Sequence, residues 1–205
     1  KEGGFKMSKT KKSNNDVMQM LKLGVVLAIF ASIACVLLAI VNNVTSPKIA
    51  QIKIDNRNNA LAEIFGSDAS FTDYDGFVKE KINGVEVEGF YIAKNSNNEI
   101  IGVAVQATGP TYDKATILTG ITTENTIKSI KILSISDTSG FGQNATKPEF
   151  YTQFAGKSLN DKFSPEKGGD IDGLSGATIT RTGVSKILKV SIAKAKDALQ
   201  NVSNE

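Results

Sequence analysis

The hydroxyls of Ser175, Thr178 and Thr180 stand in the run Gly173-Leu-Ser-Gly-Ala-Thr-Ile-Thr180, among small residues and just ahead of a helical pattern. A hydroxyl in such surroundings can carry an attached group, because Gly176 and Ala177 let another molecule approach the backbone closely. An anion attached near Thr178 would face free N–H groups at the start of the helix, which makes the segment a suitable seat for a phosphate. The same residues also read as a helix cap, in which Thr180 or Thr182 accepts a backbone hydrogen bond and Gly176 only turns the chain. Spacing alone favours the cap.

The rest of the composition narrows the chemistry. The chain has no histidine and no tryptophan, which removes histidine-based acid/base triads, zinc sites with histidine ligands and haem held by histidine. Its single cysteine, Cys35, lies inside an apolar run, so neither thiol catalysis nor iron–sulfur ligation is expected, and no metal site is assigned. No side chain is assigned as catalytic, and redox chemistry on this chain would need a bound cofactor.

The elements that would position these hydroxyls begin with residues 23–41, which run for 19 residues without a charge. At 1.5 Å per residue such a helix crosses a hydrocarbon core of about 30 Å, whereas the apolar part of a signal peptide spans about 7–15 residues. A retained transmembrane helix in the lipid bilayer is therefore expected over 23–46, with Asn42, Asn43, Thr45, Ser46 and Pro47 breaking it where it leaves the membrane. Ser32-Ile-Ala-Cys35 loosely resembles a lipobox, but the usual Leu is missing, and a membrane-buried cysteine is preferred.

Residues 1–22 hold six lysines against Glu2 and Asp16, so the excess positive charge of the chain lies ahead of the helix. The N-terminus is then expected in the cytoplasm and residues 47–205 on the extracytoplasmic face of the plasma membrane. The basic pI is read as this topology signal, and no nucleic-acid partner is expected. Met7 is the expected start, with residues 1–6 a leader outside the native chain.

Beyond the membrane, residues 47–76 read as a helical lead-in, with an amphipathic pattern that ends at Gly66, and 77–205 as the domain that carries the hydroxyls. Runs rich in Ile, Val, Phe and Tyr predict strands over 85–93, 100–107, 116–121 and 127–135, and residues 95–98 a hairpin turn. Connections this short favour antiparallel pairing. A short helix over 148–154 and a final helix over about 182–199, with Val184, Ile187, Leu188, Ala195 and Leu199 on one face, complete the pattern. The fold class is α+β: one transmembrane helix, then a twisted antiparallel sheet with flanking helices.

Asp172, Ser175, Gly176, Ala177 and Thr178 match the DxxSGAT pattern of the FMN-binding domain shared by the G subunit of Rnf electron-transport complexes and the C subunit of sodium-translocating NADH:quinone reductase. The chain resembles that family along most of its length. The resemblance implies FMN joined covalently to Thr178 by a phosphoester, made by a separate flavin transferase that uses FAD. It implies cofactor-binding roles for the motif residues Ser175, Gly176 and Ala177, and for Asp172 recognition by the transferase or positioning of the acceptor hydroxyl, the other reading of Asp172 being a loop residue that caps backbone N–H groups. Thr180 is counted with the cofactor-binding residues as the next candidate for attachment. A second stretch, Ser136 to Gly142, is similar to the family's ETPGLG loop, with Asp137 for Glu, Ser139 for Pro and Phe141 for Leu; the other reading is a tight turn after a strand.

The function implied is that of an electron-carrying subunit among other membrane subunits of an Rnf-type complex, which couples ferredoxin and NAD redox exchange to Na+ or H+ movement. An anchored flavoprotein serving another extracytoplasmic reductase, and a non-redox anchored binding protein, are the alternatives. Phe90, Tyr91, Tyr112 and Phe141 are read as core residues before they are read as flavin neighbours.

Overall fold

The computed structural model describes residues 14–166 and 168–202, so the expected leader at residues 1–6 and most of the basic segment lie outside the described residues. The chain forms two compact units, Lys1–Ile52 and Lys53–Glu205.

Helix α1, Asn14–Phe65, is 52 residues long. Among the described residues it is the one helix long and apolar enough to cross a membrane, and in the first unit its Val, Leu, Ile and Phe side chains are exposed all round. The expected break at residues 42–47 does not occur, because Pro47 lies inside the helix. Proline removes its own N–H and frees one carbonyl four residues back, at Asn43. The residues around it are exposed, Asn42, Asn43, Thr45, Ser46 and Lys48 among them polar, and Ser46 Oγ adds a hydrogen bond to Asn42 Oδ1 at 3.1 Å.

In the second unit six strands make one antiparallel sheet in the order β1-β3-β4-β5-β6, with β2 also paired to β3. The four strands expected from the sequence appear as β3 (Val85–Lys94), β4 (Ile100–Pro110), β5 (Lys114–Thr122) and β6 (Ile127–Ile135). The strands β1 (Ser70–Asp73) and β2 (Glu80–Ile82) are added to β3; both are short and neither holds a buried residue, so they carry no apolar alternation to read.

Alternation along the strands supplies both faces of the sheet. Val103, Val105 and Ala107 of β4 and Ile117 and Ile121 of β5 point into the larger core, which is closed by the buried face of α3 (Thr178–Val202). Ala104 and Leu118 point the other way, beneath Ala60, Leu61, Ile64 and Phe65 of α1. Gly120 allows that approach, since a Cβ there would lie 2.3 Å from Ile64 Cγ2. After β6 come a 3-10 turn (Gly142–Thr146), the short helix α2 (Pro148–Tyr151) and a second 3-10 turn (Thr152–Phe154).

The face expected for the final helix is the one that packs: Val184, Ile187, Leu188, Ala195 and Leu199 are all buried. Its start differs from the expected position near residue 182. The first helical hydrogen bond runs from Arg181 N–H to Ala177 O at 3.0 Å, so Thr178 stands in the first turn of the helix and not in a loop ahead of it.

Candidate functional site

Ile171, Leu174 and Ala177 are buried in the larger core and pin the hydroxyl-bearing run to the domain. Between the last two, the chain arches outward in a turn closed by Ala177 N–H to Leu174 O at 3.0 Å. Gly176 stands third in that turn with φ +70°, a conformation that side-chain-bearing residues adopt at a cost. The turn therefore delivers Thr178 exposed at the helix start.

Among the described residues the helix start carries no side-chain cap. Ala177 occupies the cap position and has no side-chain acceptor. Thr182 Oγ1 donates backwards to Thr178 O at 2.9 Å, and Thr180 Oγ1 donates to Asp137 Oδ2 at 2.6 Å, so neither of the residues read as caps performs that task. The N–H groups of Thr178, Ile179 and Thr180 are left without acceptors among the described residues, as is the Thr178 hydroxyl. Free N–H groups at the positive end of a 25-residue helix, beside an exposed hydroxyl, form a seat for an anion.

A cleft of about 420 Å³ opens over this turn, lined by Tyr112, Thr138, Phe141, Gly142 and residues 176–180. Its size lies in the range of small-molecule and cofactor sites, about 300–1,000 Å³. Three of its lining side chains are large, apolar and exposed: Tyr112 at 68%, Phe141 at 55% and Ile179 at 59%. Exposed apolar side chains gathered at one opening suit a flat hydrophobic ligand, with the N–H groups placed for its anionic end. The cleft also depends on absent side chains, since a Cβ on Gly176 would come within 2.9 Å of Phe141 Cδ1.

Asp137 holds the walls together. The residue is 2% exposed, and its carboxylate accepts Thr111 Oγ1 at 2.6 Å, Asp113 N–H at 2.9 Å, Tyr112 N–H at 3.3 Å and the Thr180 hydroxyl. Burial pushes the carboxyl pKa up, but the bonds from Thr111, Thr180, Asp113 and Tyr112 together outweigh it and hold the group below its ordinary value. The turn between β4 and β5, the loop after β6 and the first turn of α3 thus share one anion. Packing tightens the same junction, because a Cβ on Gly183 would meet Pro110 O at 2.5 Å.

Of the residues singled out from the sequence, Gly176, Ala177, Thr178 and Thr180 line the cleft. Asp172 and Ser175 do not. Both are exposed, and Asp172 is tied through its N–H to Gln153 Oε1 at 2.6 Å, which anchors the start of the run to the segment after α2. Phe90 and Tyr91 are core residues, as read from their strand, whereas Tyr112 and Phe141 sit in connecting turns at the cleft. In residues 136–142 the structure shows the tight turn: Phe141 N–H bonds Thr138 O at 3.3 Å around Gly140 at φ +80°, and Thr138, Phe141 and Gly142 form one wall of the cleft.

Residues 111–193 match the family described as the FMN-binding domain, which covers the cleft and α3 up to its last third, and residues 7–64 match the RnfG N-terminal region. The chain is 30% identical over 202 residues to the G subunit of the Na(+)-translocating ferredoxin:NAD(+) oxidoreductase complex of Acetobacterium woodii, covering 91% of this chain and 96% of that one. It is 26% identical to the G subunit of the ion-translocating oxidoreductase complex of Methanosarcina acetivorans, over 87% and 95% of the two chains. With the proton-translocating counterpart of Clostridium ljungdahlii the figures are 28%, 81% and 86%. A crystal structure of Shewanella oneidensis NqrC aligns at 16% identity and a TM-score of 0.49, over 63% of this chain and 81% of that one.

Proposed function

The chain belongs to the G-subunit family of ion-translocating oxidoreductase complexes, and on that premise we propose that it carries electrons through an FMN joined to Thr178 by a phosphoester. The observation that carries the reading is the cleft itself: an exposed hydroxyl and three N–H groups without partners among the described residues, and an apolar rim, all within the stretch that matches the FMN-binding domain.

In this reading Thr178 is a tether and performs no turnover. Its oxygen forms the new bond to phosphorus as the diphosphate link of FAD breaks, AMP leaves and the hydroxyl proton passes to solvent; a flavin transferase catalyses the exchange. The N–H groups of Thr178, Ile179 and Thr180 would hold the phosphate charge, and the apolar side chains of Tyr112, Phe141 and Ile179 would shield a bound flavin from water. Flavin supplies electron transfer in single steps. Covalent attachment has a physical purpose on an extracytoplasmic surface, where a dissociated flavin would be diluted away.

The lysine-rich start and the charge-free run over 23–41 support a single-pass anchor with its N-terminus in the cytoplasm. Other membrane subunits of an Rnf-type complex are the electron donor and acceptor. Relatives named for Na+ and for proton translocation share this subunit, and residues 23–41 hold no ionisable residue other than Cys35, so ion choice is assigned to the other subunits.

The test is expression with and without a flavin transferase, followed by denaturing gel fluorescence and affinity purification from membranes. A fluorescent band that appears only with the transferase, and that brings the other complex subunits with it, is expected. A dark band under both conditions rejects the flavin, and a fluorescent protein that always purifies alone rejects the complex.

A further inference from the structure

The deeply buried carboxylate beside the cleft takes no part in attaching the flavin. Asp137 is held by two hydroxyls and two backbone N–H groups, all of them neutral, and it takes part in no ion pair among the described residues. Its charge is therefore stabilised without being cancelled, and in a medium less polarisable than water the field of such a charge reaches further. What separates it from the cleft is thin. A Cβ on Gly142 would lie 2.7 Å from Asp137 Oδ2 and 2.6 Å from Thr180 Oγ1, and both Gly142 and Thr180 line the cleft.

Resting on the flavin reading of this site, we propose that Asp137 is a positioning residue that also sets the electron affinity of the site. Its uncompensated negative charge, directly behind the wall at Gly142, opposes a gain of negative charge in the cleft and holds the reduction potential of the bound ring low. An electron from a one-electron donor adds one negative charge to the ring unless a proton from solvent follows; Asp137 stays ionised throughout and exchanges neither. The arrangement suits a carrier that must pass its electron on.

The test uses the full-length chain, matured with a flavin transferase and titrated spectroelectrochemically at neutral pH. Asp137→Asn removes the charge at nearly constant shape and is expected to shift the midpoint potential upward. Thr111→Val removes one donor to the same carboxylate but keeps the charge, and Thr111 does not line the cleft; it is expected to melt earlier than wild type without an upward shift in potential. A purely structural Asp137 would move both variants alike. The proposal is overturned by an Asp137→Asn midpoint equal to wild type, by a Thr111→Val midpoint raised as far as that of Asp137→Asn, or by an Asp137→Asn chain that folds only without flavin. A wild-type chain that takes up no flavin, seen by intact mass before any titration, rejects the flavin reading instead, and the proposal with it.

Discussion

Thr180, two residues beyond Thr178, gives its hydroxyl to Asp137 at 2.6 Å, and this bond joins the first turn of α3 to the loop after β6 across 43 residues of sequence. Thr180→Val deletes that donor and leaves a buried carboxylate short of one partner. A loss of about 1–3 kcal/mol is expected, the usual scale for an unmet buried polar group. Thr180→Ser keeps the hydroxyl and should fall well short of it. Urea denaturation in detergent, followed by near-UV circular dichroism, compares the two; equal losses would mean that the bond contributes nothing beyond packing.

The same carboxylate predicts an acid limit. Asp137 and Asp170 both have folded pKa values below the ordinary 3.8: in each, burial raises the value and is outweighed by hydrogen bonds, from Phe163 and Ser164 N–H in the case of Asp170. A depressed folded pKa gives stability that is complete above the unfolded value and is lost as pH falls through the folded one. The urea midpoint should therefore hold from neutrality to about pH 4 and drop below it. Asp137→Asn should show a shallower drop; an identical slope would remove Asp137 from the account.

Much of this junction was not legible in the sequence, for physical reasons that differ by element. Strands β3 to β6 declare themselves through dense β-branched runs between turn residues. The start of α3 does not, because Thr178, Ile179, Thr180 and Thr182 are all β-branched and read as non-helical, although the packing of Ala177, Thr180 and Val184 holds them in the helix. Continuity of α1 through Pro47 is hidden by the same kind of local rule. The part played by Asp137 depends on donors 24 to 43 residues away, a distance over which local pattern is silent. Tyr112 and Phe141 betray themselves only by sitting in turns, where an aromatic has no strand neighbour to pack against.

Gly176 tests the shape of the cleft. Alanine there is strained by the φ of +70° and meets Phe141 at 2.9 Å, so Gly176→Ala should cost about 1 kcal/mol or more. Part of that cost is the collision, and it should be smaller in a Phe141→Ala background. A double-mutant cycle by thermal unfolding measures the difference. Strictly additive losses would show that the aromatic ring does not limit the turn.

Thr119 offers a prediction of opposite sign. It is fully buried in β5, and its hydroxyl has no hydrogen-bond partner among the described residues. Thr119→Val replaces that group by a methyl of similar size, so the variant should unfold at the same temperature as wild type or higher. A clear fall in melting temperature would mean that the hydroxyl is bonded in solution, for example through a buried water.

The proposed link to Thr178 is tested most directly by intact mass. Wild type matured with a flavin transferase should gain the mass of one FMN less one water, and peptide mapping should place the gain on the peptide that contains Thr178. Thr178→Ala should gain nothing, while Thr178→Ser, which keeps an oxygen in the same turn, should regain part of the label. A Thr178→Ala chain that still carries the full FMN mass would contradict the account at its centre.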